Sequence, residues 1–121
     1  MVLATSNKSK QLLHVSYIGQ VGLEELARGL KDLKMLLADL PPSFRLLVDL
    51  DRLESMDLAC APELGRAMEM IDQHGVSLVV RVIPDPGKDI GLNIFTIFHY
   101  VRPPRIVTCR NILEAARALS L

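Results

Sequence analysis

Charge of neither sign predominates in this chain of 121 residues, because fourteen lysines and arginines offset fourteen aspartates and glutamates. A nucleic-acid binder carries a basic excess or stripe, and here only Arg102 and Arg105, flanking Pro103-Pro104, form a local basic pair. Cysteine is scarce: Cys60 and Cys109 are too few for a disulfide framework, and no metal-ligand spacing joins them. Long apolar runs are missing as well. The first ten residues have no apolar core of signal-peptide length. The most membrane-like stretch, residues 90–101, is interrupted by Asn93, Thr96 and His99 and falls far short of the ~20 apolar residues that span a bilayer. Gly-x-Ser-x-Gly, a Walker loop and a dinucleotide glycine pattern are all absent. The expectation from these absences is a cytoplasmic protein with no nucleic-acid partner, membrane span, metal or cofactor, and without enzymatic activity.

What is present is the patterning of one globular domain over residues 1–121. Half of the residues are hydrophobic and 23% are charged, a balance that buries a core rather than leaving a disordered chain. Residues 2–5 and 11–18 read as a hairpin, with Leu13, Val15 and Tyr17 alternating against His14 and Ser16. Over residues 22–40, Leu23, Leu26, Ala27, Leu30, Leu33, Leu36, Leu37 and Leu40 recur at the spacing of one helical stripe, and Pro41-Pro42 ends it. Residues 44–50 and 76–83 are near-continuous apolar runs, as in strands covered on both faces. A second helix between them is marked by Ala61, Leu64, Met68 and Ile71, and Gly75 suits its left-handed cap. Asp89 opens a third helix with Ile90, Ile94, Ile97, Phe98 and Val101 inward. Residues 105–108 give a last strand, and Asn111 with Glu114 has the spacing of a reciprocal cap on a final helix. This alternation predicts an α/β domain with a mostly parallel, mixed sheet of four to five strands and about four helices.

The most informative stretch runs from Phe44 to Gly65. It reads as a buried strand closing on Asp49, an acidic connection ending in Asp57, and a helix start. Sites in open α/β sheets are built where a strand hands over to a helix. Asp49, Asp51, Glu54 and Asp57 gather there. A phospho-accepting aspartate needs further carboxylates for Mg²⁺ and a nearby lysine. The last strand is instead followed by Cys109-Arg110, so the carboxylates read as turn and capping groups. Cys60 is placed either as a thiolate at a helix N-terminus or, preferably, as a packed small hydrophobe. His14, His74 and His99 share no face. Pro62 puts the helix entry at Ala61.

Leu46-Leu-Val-Asp-Leu-Asp-Arg-Leu-Glu-Ser-Met-Asp57, the strand after Gly75, and Arg105-Ile-Val-Thr-Cys-Arg-Asn-Ile-Leu-Glu-Ala-Ala116 stand in the order and spacing of a known pattern. Over residues 11–119 the chain resembles the STAS domain, the module shared by sulfate transporters and bacterial anti-sigma factor antagonists. The resemblance implies a STAS-like fold and a regulatory role through protein contacts, with a kinase or another sigma-pathway protein as partner, and a homodimer as a further possibility. It also implies a phosphoacceptor serine or threonine two residues after the second aspartate. This chain has Ala59 there, preceded by Leu58 and followed by Cys60. Ala59 offers no oxygen to phosphorylate, so the kinase-driven switch is expected to be absent or to act elsewhere. Asp57, Leu58, Ala59 and Cys60 are the expected partner-binding loop and helix start. The alternative is a small carrier or sensor for a lipid or other apolar ligand, with Leu92, Phe95 and Phe98 as the patch or pocket wall.

Overall fold

A computed structural model of the chain describes residues 1–83 and 105–120. Among the described residues the main sheet has five strands: β1 (Val2–Asn7), β2 (Leu12–Tyr17), β4 (Arg45–Asp49), β6 (Leu78–Val82) and β7 (Arg105–Cys109), in the order β1-β2-β4-β6-β7. The hairpin β1/β2 is antiparallel; every later pairing is parallel. Asn7 supplies the turn chemistry, its side-chain oxygen accepting from the Ser9 hydroxyl at 2.8 Å and the Lys10 amide at 3.1 Å.

Two helices, α1 (Leu23–Ala38) and α2 (Ala61–Gln73), follow the predicted stripes and bury the larger core. They cover the face that presents Leu13, Val15, Leu46, Val48 and Val79. The shorter α3 (Ile112–Ala118) covers part of the opposite face, where Leu12, Leu47, Val80, Val82 and Cys109 meet Ala115 and Leu119. Alternation of side chains along a strand splits β4 between these cores, Leu46 and Val48 to one and Leu47 to the other.

The stripe on α1 is narrower than the leucine pattern implies. Leu26, Leu33 and Leu37 are buried, but Leu23 is 50% exposed and Ala27 is also exposed. Eight apolar positions sweep a wider arc than one sheet face covers, so those at the rim stay wet. Gly29, outside the predicted stripe, is buried instead. A Cβ there would lie 2.8 Å from Val2 Cγ1, so glycine is what lets the helix seat against β1. At the far end of α2, Gly75 takes φ +84°, the left-handed conformation expected of it, and the ring Nδ1 of His74 lies 3.0 Å from the Met70 carbonyl.

Asn111 caps α3 through its side chain, which accepts from the Glu114 amide at 2.9 Å. The return bond differs from the expected box: the Glu114 carboxylate accepts from the Arg110 amide at 3.0 Å and from the Arg110 guanidinium. Its long side chain reaches one residue further back, where a cationic partner adds to the bond. Arg45 fastens the ends of the fold, donating to the Leu119 and Lys10 carbonyls. Three of the four expected helices are thus seen. The one opened by Asp89 lies outside the described residues, as do Leu92, Phe95 and Phe98.

Candidate functional site

The strand-to-helix connection is more ordered than an acidic loop. Asp49 ends β4, and its carboxylate accepts from the Asp51 amide at 2.9 Å, closing the turn. The chain then re-enters extended structure as β5 (Leu53–Met56), which pairs in parallel with β3 (Gly19–Val21) as a separate two-stranded ladder. The Gly19 amide donates to the Arg52 carbonyl at 2.9 Å, and the register shifts between Gly19 and Gln20. Gly19 adopts φ +70°, a conformation that glycine accepts at little cost. The β2/β4 pairing is therefore taken up again beyond the end of the main sheet by β3/β5, after a bend in both chains.

Asp57 follows β5 and organises the next turn twice. Its side-chain oxygen accepts from the Ala59 amide at 3.1 Å, and its carbonyl accepts from the Cys60 amide at 2.9 Å. A short 3-10 turn over Leu58–Cys60 runs straight into α2. Pro62 sits in the first turn of the helix, where its missing N–H has no intrahelical partner to lose. The helix begins at Ala61 as Pro62 implies, but winding starts earlier, since Cys60 already has helical angles of −77° and −13°. Glu63 in the first turn is paired with Arg66 at 2.9 Å.

The expected binding residues divide between surface and core. Asp57 and Ala59 are exposed, and Leu58 opens the 3-10 turn between them. Cys60 is fully buried, with its sulfur 3.9 Å from the Val21 carbonyl. Burial raises the Cys60 thiol above its ordinary value, and the negative charge of Asp57 adds to the rise. That is the environment of a packed thiol and the opposite of an activated one. What Cys60 supplies is the anchoring of the turn beneath the exposed residues.

Asp49, Asp51, Glu54 and Asp57 do not converge, and among the described residues no group of histidine, cysteine and carboxylate side chains is arranged to hold a metal ion. The Asp49 and Asp57 carboxylates instead accept backbone N–H bonds within turns, and neither caps α2, which has no side-chain cap bond. His14 is held at 3.1 Å from the Ser16 hydroxyl on the other side of the sheet, and His74 is at the distant end of α2.

Gln20, Gly29 and the crevice that Gly29 lines escape the sequence reading. Gln20 and Ser55 face each other across the small ladder, both exposed beside the acidic residues. An apolar crevice lies between α1, α2 and the sheet, lined by Val2, Leu26, Leu30, Ala67 and Met68 among others, with space of about 30 Å³. Gly29, also in its lining, carries a usable signal: a glycine in mid-helix costs stability and marks a close approach.

No family model matches the chain, and no curated protein matches it. Solved structures do. The anti-sigma factor antagonist SpoIIAA in its unphosphorylated form is similar at 13% identity and a TM-score of 0.64, over 99% of this chain and 98% of that one. A Shewanella loihica protein with a SpoIIAA-like fold is similar at 15% identity and a TM-score of 0.67, over 98% and 92% of the two chains. Mglu matches more narrowly, at 13% identity and a TM-score of 0.54 over 69% of this chain and 19% of its own. The chain has the SpoIIAA-like α/β fold, and the STAS resemblance carried by the strand-Asp-Leu motif holds at that level. Among the described residues no helix is long and apolar enough to cross a membrane.

Proposed function

We propose that the chain is a non-enzymatic, cytoplasmic regulatory domain that binds a protein partner through the β5–α2 junction and does so without a phosphorylation switch at that junction. One observation carries the reading: Ala59 stands exposed at the strand-to-helix turn, presenting a methyl group, with its amide already bonded to Asp57. At residue 59 the surface is open but offers neither a hydroxyl to modify nor a free amide to hold a phosphate. The SpoIIAA-like fold supports a role in binding.

Charge gives the partner a character. Between Asp49 and Glu63 the one basic residue is Arg52, against Asp49, Asp51, Glu54, Asp57 and Glu63. A basic surface complements this rim, speeds association and makes it salt-dependent. A second copy docking by the same rim would bring like charges together, so a different protein with a basic surface, a regulatory kinase or another sigma-pathway protein being the candidates, is favoured over a homodimer at this face.

The carrier alternative rests on Leu92, Phe95 and Phe98, which lie outside the described residues. The apolar crevice offers it little, since about 30 Å³ is room for one water and ligand pockets run to roughly 300–1,000 Å³.

The test uses the intact chain as bait in an extract of its own source cells, beside the variants Glu54→Lys/Asp57→Lys and Ala59→Ser. A protein retained by the parent chain and lost with the charge-reversed one, both folded by circular dichroism, is the expected result. Phosphate transferred from ATP should enter only the Ala59→Ser chain, and only if a cognate kinase is present. Stoichiometric phosphate on Ser55 of the unaltered chain would overturn the unswitched reading. Equal capture by the parent and reversed chains would overturn the surface.

A further inference from the structure

We draw no further inference here: the strongest candidate, the open cleft of about 290 Å³ lined by Leu3, Ser16, Asp49, Arg52 and Ile112 at the carboxyl ends of β2 and β4, has a lining of mixed charge and polarity, and nothing in the structure shows what covers it.

Discussion

Replacing Gly29 by alanine sets two known effects against each other. In mid-helix the exchange is worth about 1 kcal/mol in favour of alanine, through the entropy that glycine loses on folding. The added methyl, however, would stand 2.8 Å from Val2 Cγ1 and 3.3 Å from Val2 Cβ, where carbon atoms rest comfortably only at ~3.5–4.0 Å. Val2 cannot swing away cheaply, because a β-branched side chain has few rotamers, so α1 and β1 must part. Such overpacking costs about 1–3 kcal/mol, and the net change should run from near zero to roughly 2 kcal/mol of destabilisation. In a Val2→Ala background both γ-methyls are gone and only the 3.3 Å contact remains, which a shift of a few tenths of an ångström relieves, so Gly29→Ala should there stabilise by up to ~1 kcal/mol. The difference between backgrounds is a coupling energy of about 1–3 kcal/mol, well above the ~0.3–0.5 kcal/mol scatter of independent sites. Urea unfolding of the four proteins followed by far-ultraviolet circular dichroism measures it, a probe suited to a chain without tryptophan. Equal effects of Gly29→Ala in both backgrounds would refute the close approach as the reason for glycine.

Further outcomes follow from the same packing. Arg45→Met should cost about 1.5–3 kcal/mol for each well-formed bond lost from the guanidinium, seen as a lower urea midpoint. Arg45→Lys should recover only part of this, since one ammonium cannot reproduce the fork that reaches Leu119 and Lys10. Both thiols are buried and raised by that burial, so iodoacetamide at neutral pH should modify Cys60 and Cys109 only as fast as the chain opens; rapid labelling of the native protein would contradict the packed environment. Folding lowers the Glu114 carboxyl below its ordinary 4.5, first through the Arg110 amide and then through the Arg110 guanidinium. The folded state therefore binds that proton less readily than the unfolded chain does, and the stability it lends is whole above about 4.5 and fades as pH falls through the lower folded value. The protection of the Arg110 amide, taken relative to its intrinsic exchange rate at each pH, should fall over that acid range, and Glu114→Gln should flatten the dependence.

The parts legible in the sequence are those where one local signal suffices. The α1 stripe with its proline stop, the apolar runs of β4 and β6, the Gly75 cap and the Asn111 cap each announce themselves within a few residues. β3 and β5 do not. Gly19-Gln20-Val21 and Leu53-Glu54-Ser55-Met56 are short and polar, and they become strands only because each finds the other across the fold; β structure depends on its neighbours more than helix does. The same limit applies at the site. The STAS resemblance is what points to Asp57 and Ala59, whereas the depth of Cys60 beneath them and the pairing of Gln20 with Ser55 depend on which segments the sheet brings together.

Under the proposed binding role, the continuation of β2/β4 as β3/β5 bears on the kinetics of recognition. A junction tethered by backbone bonds on one flank and plugged by a buried sulfur on the other is already set before any encounter, so little freedom remains to be surrendered on docking. If a protein partner docks there as proposed, its capture would be governed by diffusion and charge steering instead of by slow rearrangement, and loosening Gly19 or Cys60 would slow association although Cys60 lies buried beneath the surface.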